Sequence, residues 1–297
     1  MLSICIPIYN QFVSDLVKKL HEQGEKYTSH FEIILIDDCS DELYKSENKK
    51  LDDYGSVKYI ELPENIGRAK IRNLFLDHTK SDYLLFLDCD SLIPGDSFVE
   101  KYMTEIDKKI QIVNGGRIYD KTIPPKNKRL RWKYGTLREG ISSKSRNMHP
   151  NKSFMTNNFL ISRTIMDKVK FDERISKYGH EDTLFGFELK KNNIQITHID
   201  NPVINGDLET NEEFIKKTEE GLLNLMEIVK FLNFDKAFIN DVKILRYMDS
   251  IKSLYLDKIL KPIFIITLPL IKKILLSCNG NLKLFDIYKV GFMILRT

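Results

Sequence analysis

The stretch that most constrains this chain is Tyr83-Leu84-Leu85-Phe86-Leu87-Asp88-Cys89-Asp90. An unbroken apolar run closed by two carboxylates one residue apart reads as a buried central strand of a parallel sheet, delivering acids to its carboxyl edge. Ligands of open α/β sheets bind at that edge. Strand alternation would put Asp88 and Asp90 on one side and Cys89 on the other. Two hard oxygen ligands so placed suit Mg²⁺ or Mn²⁺ together with a diphosphate. The competing reading is a strand that ends in turn-forming aspartates before Pro94-Gly95. The rest of the chain has to decide.

Strand and helix signals alternate four times within about a hundred residues, the pattern of βαβ units and a mostly parallel sheet. Leu2 to Ile8 reads as a first strand, followed by a helix with Val13, Leu16, Val17 and Leu20 on one face. Phe31 to Ile36 is a second strand, ending in Asp37-Asp38-Cys39-Ser40, and Val57 to Leu62 a third. Asn65 is placed to cap a helix that carries Arg68, Lys70 and Arg72. The Asp-pair strand comes next, then a helix with Val99, Tyr102, Met103 and Ile106 on one face. No GxGxxG follows the first strand, which argues against an ordinary dinucleotide dehydrogenase.

Beyond Gly115-Gly116 the pattern breaks. Lys121 to Arg146 is rich in Lys and Arg, holds Pro124-Pro125 and the only tryptophan, Trp132, and reads as a long loop. Such a loop is either a solvated basic surface or a cover for an anionic substrate, with Trp132 as a stacking face. One aromatic is not a stacking platform, and a net charge of +4 is mild, so nucleic acid is not an expected partner. Four cysteines, Cys5, Cys39, Cys89 and Cys278, form no CxxC pair. They read as reduced thiols of a cytoplasmic protein. The opening residues lack the regions of a signal peptide, and the longest apolar stretch, Ile263 to Ile271, is too short to span a membrane.

After Glu209 the chain reads as helical, with Leu222, Leu225, Met226 and Val229 in one stripe. The last forty or so residues mix Ile, Leu and Phe with Lys258, Lys261, Lys272, Lys273, Lys283, Lys289 and Arg296, a pattern suited to the inner surface of an anionic membrane. A helical cap on the core or an oligomer contact fits equally.

Five stretches together resemble the family 2 glycosyltransferases of the GT-A fold, which are mostly inverting and use nucleotide-sugar donors. They are Ile6-Pro7-Ile8-Tyr9-Asn10, Ile36-Asp37-Asp38-Cys39-Ser40, Asn65 to Asn73, Asp88-Cys89-Asp90 and Gly179-His180-Glu181-Asp182, in the family's order. The resemblance implies a Rossmann-like, mostly parallel sheet flanked by helices. A glycosyltransferase domain would cover residues 1–210, with a nucleotide-sugar half over 1–118, the basic loop over 119–150 and an acceptor half over 150–210. A helical extension over 211–297 would complete the chain.

By the same resemblance Pro7, Tyr9, Asp38, Arg68, Arg72 and Asp88 would bind the nucleotide-sugar, Asp38 through the uracil N3–H. Asp90, with Asp88, would hold Mn²⁺ or Mg²⁺. Asp182 would be the general base and Glu181 would hold the acceptor sugar. Without the family, the preferred reading of Glu181 and Asp182 is as first-turn acids complementing a helix dipole. Many relatives place a metal-binding histidine after the strand that follows the Glu-Asp pair; here Asn205 or Asp207 stands there instead, and His198 falls inside the strand. The expected activity is metal-dependent transfer of a hexose-type sugar from a UDP-sugar to a glycan or lipid-linked acceptor in surface polysaccharide synthesis. A sugar nucleotidyltransferase and a non-catalytic membrane or polysaccharide adaptor are the alternatives.

Overall fold

The computed structural model describes residues 1–28, 30–175, 177–206, 208–277 and 280–297. Cys278 and Asp207 lie outside the described residues. The chain divides into two compact units. The first comprises residues 1–118, 140–176 and 184–207; the second, residues 119–139, 177–183 and 208–297. The sequence expectation kept residues 119–139 and 177–183 with the amino-terminal domain. They group instead with the carboxyl-terminal helices.

Among the described residues the first unit is built on ten strands: β1 (Leu2–Ile8), β2 (Phe31–Asp37), β3 (Val57–Glu61), β4 (Tyr83–Leu87), β5 (Ser91–Leu92), β6 (Ile112–Asn114), β7 (Arg117–Ile118), β8 (Asn158–Ser162), β9 (Thr197–His198) and β10 (Val203–Asn205). Seven form the main sheet in the order β3-β2-β1-β4-β8-β6-β9. The first four are parallel, joined by helical crossovers, while β8 runs antiparallel to both β4 and β6. β5, β10 and β7 make a small second sheet.

The apolar runs are explained by burial on both faces of the main sheet. Ile4, Ile6 and Ile8 of β1 and Leu85 and Leu87 of β4 pack with Leu16, Val17 and Leu20 of the helix Ser14–Tyr27 and with Phe98, Val99 and Tyr102 of the helix Phe98–Asp107. Cys5, Leu84 and Phe86 point the other way, onto Ile71, Phe75 and Leu76 of the helix Arg68–His78. Phe86 stacks on Phe159 of β8, ring centroids 4.9 Å apart.

Tertiary order overrides the loop reading of Lys121 to Arg146. Arg129–Tyr134 is a helix that runs on as a wide turn through Glu139, and Ser143–Arg146 is a further helical turn. Two of the arginines are core residues. Arg131, 6% exposed, donates from Nε to Glu209 (2.8 Å) and from Nη2 to the Tyr119 hydroxyl (2.7 Å) and to Glu139 (3.2 Å). Arg146, 2% exposed, donates from Nε to His198 Nδ1 (3.1 Å) and from Nη2 to the carbonyls of Gly115 and Ile199. Because that Nδ1 accepts, the His198 Nε2–H donates to the Pro150 carbonyl at 2.8 Å. Burial pushes the imidazole down to about 4, so it stays neutral. His198 is thus a brace, as its place inside a strand implied. Trp132 donates its indole N–H to the Asp120 carbonyl.

In the second unit the helix Asn211–Phe231 opens on a reciprocal cap: the Thr210 side chain accepts from the Glu213 N–H, and the Glu213 carboxylate accepts from the Thr210 N–H. Helices Lys236–Asp241, Lys243–Ser253, Leu256–Ser277 and Leu282–Ile294 follow.

Buried Asn158 fastens the β6–β7 turn beneath the site. Its Nδ2 donates to the carbonyls of Gly116 (2.9 Å) and Asn201 (2.8 Å), and its Oδ1 accepts from the Tyr102 hydroxyl (2.6 Å). Asn158→Ala takes these bonds from the buried Tyr102 hydroxyl and Asn201 carbonyl and leaves the Gly116 carbonyl only the Val203 N–H (3.3 Å), and is expected to destabilise the protein by about 2–4 kcal/mol. Denaturant melts check this; an unchanged midpoint would contradict it.

Candidate active site

In the order β3-β2-β1-β4 the chain winds outward from β1 and then returns past it to lay down β4. Open sheets bind ligands at such a reversal, beyond the carboxyl ends of the strands. Here the residues beyond those ends are Tyr9 to Asn10, Asp38 to Ser40 and Asp88 to Asp90. Tyr9 is 55% exposed, just past Pro7 and Ile8 of β1.

The two aspartates at the carboxyl end of β2, Asp37 within it and Asp38 just past it, divide the work. Asp37 is fully buried: Oδ1 accepts from the Ser40 N–H (2.7 Å) and Oδ2 from the Tyr59 hydroxyl (3.0 Å). Asp38 accepts from the N–H groups of Ile66 (2.7 Å) and Gly67 (3.1 Å), at the entrance to the helix Arg68–His78. Asn65 is therefore not the cap of that helix; its amide donates to the Asp38 carbonyl, and Gly67, at φ 83°, makes the turn. Burial raises the Asp38 carboxyl above its ordinary range, against the two N–H groups that lower it. Each of its oxygens keeps a further lone pair to offer a ligand.

β4 stops at Leu87, one residue before the acids. Asp88-Cys89-Asp90 forms a turn closed by the Ser91 N–H on the Asp88 carbonyl (3.1 Å), so strand alternation is not what orients it. Cys89 packs against the core, and burial drives its thiol up to about 12. Arg72 does not lie on a solvated helix face. It is 2% exposed, with Nη2 3.2 Å from Asp88 Oδ1, Nη1 on the Arg68 carbonyl (3.0 Å) and its guanidinium over the Phe171 ring. Burial, then the Asp88 charge, raise the Asp90 carboxyl, opposed by Arg117 and by exposed Arg68.

Two neighbours gave no signal in the sequence. Arg117 of β7 donates from Nη2 to Asn205 Oδ1 at 2.8 Å. β10 in turn reaches the Asp pair, since the Gly206 N–H bonds the Asp90 carbonyl (3.2 Å). A lone Arg after two glycines carries no motif; only the register of β7 beside β10 brings it here. Asn157 hands its main-chain carbonyl to the Asp88 N–H (3.1 Å). Its side-chain amide is buried, with no hydrogen-bond partner among the described residues.

Two neighbouring carboxylates, one held protonation-prone by burial and then by the other's charge, fit a divalent cation, whose charge would relieve that repulsion. Among the described residues no group of three or more His, Cys, Asp or Glu is arranged to hold a metal. Asn205, the third oxygen expected from sequence, gives its Oδ1 to Arg117. Asp88 and Asp90 could hold such a cation, which would take further oxygens from diphosphate and water.

Glu181 and Asp182 belong to the second unit and open the helix Glu181–Lys191. Gly179 and His180, at φ 92° and 68°, turn the chain into it. Glu181 is 5% exposed. Asp182 Oδ1 accepts from the Thr183 N–H at 2.6 Å, and the Thr183 hydroxyl lies 3.1 Å from His180 Nδ1. Burial pushes the His180 imidazole down to about 4, so it too is neutral.

The family model for glycosyl transferase family 2 matches residues 3–170, and the chain belongs to that family. Its fold is the GT-A fold. A mannosyltransferase from Pyrobaculum calidifontis, solved with GDP-mannose and Mn²⁺, superposes with a TM-score of 0.56 at 14% identity, over 77% of this chain and 64% of that one. Residues 1–349 of TarS from Staphylococcus aureus, solved with UDP, give 0.51 at 17% identity, over 76% and 65%. In sequence, an uncharacterized glycosyltransferase of Haemophilus influenzae is 32% identical over 131 residues, 40% of this chain and 42% of that protein. TarS, a poly(ribitol-phosphate) β-N-acetylglucosaminyltransferase, is 27% identical over 123 residues, 38% of this chain and 21% of its own length. The chain thus spans less than half the length of these relatives. Family membership removes the nucleotidyltransferase alternative.

The raised Asp90 carboxyl has a sign that can be measured. A folded-state pKa above the unfolded value means the native state binds the proton more tightly, so ionised Asp90 costs stability at neutral pH and the cost vanishes as pH falls through the folded value. Asp90→Asn is expected to raise the melting temperature by a few degrees at pH 7 in chelator, with the gain shrinking toward pH 4. Mn²⁺ is expected to stabilise the parent protein and not the variant.

Proposed function

We propose that this chain is an inverting glycosyltransferase that moves a sugar from a UDP-sugar to a hydroxyl of a lipid-linked or oligosaccharide acceptor, in the synthesis of a surface polysaccharide. The observation that carries the reading is the Asp88–Asp90 pair, set among Arg68, Arg72 and Arg117 at the strand reversal of a family 2 chain. The name of TarS, and its complex with UDP, support the choice of donor and the class of product.

Tyr9 and Pro7 would flank the nucleotide base, with Asp38 accepting its N–H. Asp88 would meet the ribose, and the arginines would hold the diphosphate by charge-assisted hydrogen bonds. Asp88 and Asp90 would hold Mn²⁺ or Mg²⁺, which supplies stabilisation for the negative charge that develops on the departing diphosphate. Asp182 would take the proton from the acceptor hydroxyl as its oxygen bonds the anomeric carbon and the bond to the diphosphate breaks. Glu181 would orient the acceptor sugar. The work would be done at the inner face of the cell membrane.

Asp182→Asn removes the proton acceptor while leaving the charge at the nucleotide unchanged. It is expected to lower kcat by about 10²–10⁴ and to leave UDP affinity within a factor of a few. Asp90→Asn is expected to weaken UDP binding in Mn²⁺. Transfer at the parent rate by both variants, with a matched donor and acceptor, would end the assignment.

A further inference from the structure

The helix Leu256–Ser277 has two apolar faces, and only one is used by the fold. Phe264, Leu268 and Leu275 are buried, the first two so close to Gly291 of the helix Leu282–Ile294 that an added Cβ there would meet them. On the other side Ile259, Ile263, Ile266, Leu270 and Ile274 recur at intervals of three and four residues, which puts them in one stripe. They are 63%, 48%, 72%, 59% and 48% exposed. Leu254 and Tyr255, 67% and 70% exposed, extend the apolar surface at the amino-terminal end.

Charge decides what covers this stripe. Lys258, Lys261 and Lys273 are exposed beside it, while Lys272 is held by Glu219 at 2.7 Å. The helix has a single acid, Asp257, at its first turn. Pairing two copies along the stripe would set the lysines of each against those of the other with only Asp257 of either copy to offset them. Pro262 and Pro269 add to the case, because neither can donate to the carbonyl four residues back, Lys258 or Ile265. Those carbonyls need water or headgroups, which a bilayer surface provides and a dry helix seam does not. No described helix is long and apolar enough to cross a membrane, so the arrangement is one that lies in the interface.

We propose that the Ile259–Ile263–Ile266–Leu270–Ile274 face of this helix is the surface by which the protein docks on an anionic lipid leaflet, its stripe sunk among the acyl chains and Lys258, Lys261 and Lys273 on the headgroups. This gives the membrane-surface reading a structural element; it does not depend on the transfer chemistry.

The test is flotation of the full chain with vesicles of phosphatidylcholine alone and of an equal mixture with phosphatidylglycerol, beside light scattering without lipid. The parent chain is expected to float with the mixed vesicles and to remain behind with the neutral ones. Each lysine near an anionic surface is worth about fivefold in affinity, so Lys258→Gln, Lys261→Gln and Lys273→Gln together should weaken binding roughly a hundredfold. Ile263→Ser, Ile266→Ser and Leu270→Ser together should abolish it. All six positions are exposed, and unchanged thermal melts would show that the variants fold. Failure to float with mixed vesicles overturns the proposal, as does a dimer that the serine variant dissociates while the parent ignores lipid. UDP titration of the same variants separates this outcome from failure of the glycosyltransferase reading, since donor binding is expected to be unchanged in all of them.

Discussion

The arginine beneath the acids is the constraint on which the site depends. Arg72 is taken almost wholly out of water, at a cost that only a carboxylate, a carbonyl and an aromatic face together can offset. Asp88, the Arg68 carbonyl and Phe171 supply these. Fixing Asp88 in this way fixes the turn that carries Asp90, and the turn is locked again by the Ser91 N–H on the Asp88 carbonyl and by the Asp88 N–H on the Asn157 carbonyl. The outcome is an acidic pair with a fixed backbone and an unfavourable mutual charge at one sheet edge, the feature on which the proposed cation site rests.

The loops around that edge are held by the same economy of buried polar groups. Asp37 closes its own loop, Asp38 organises the entrance to the helix Arg68–His78, and Asn158 secures the turn between β6 and β7 that leads to Arg117. Arg146 does likewise elsewhere in the first unit, and Arg131 within the second. Much of the positive charge in this chain is used to build.

The sheet was legible because its strands are buried on both faces and so appear as continuous Ile, Leu and Phe runs, β4 most clearly. The acids were legible as residues but not as a shape: alternation predicts their direction only while the strand continues, and β4 ends at Leu87. Arg72 looked like one of three cations on a helix surface, because sequence cannot show that Phe171 and Asp88 close over it. The segment Lys121 to Arg146 was opaque for a related reason. Its helices are short and its arginines are satisfied by residues distant in the chain, such as Glu209 and His198, so neither periodicity nor composition reveals order. Arg117 and Asn157 gave no local signal at all; strand register brings one to Asn205, and a main-chain bond brings the other to Asp88.

The central claim is that these acids and arginines form a site for a nucleotide diphosphate and a divalent cation. Calorimetric titration of the full chain with UDP, with and without Mn²⁺, tests it most directly. Saturable binding that strengthens at least about tenfold when Mn²⁺ is present is the predicted result, a linked gain of about 1.4 kcal/mol. No heat of binding in either condition, or equal affinity in both, would contradict it.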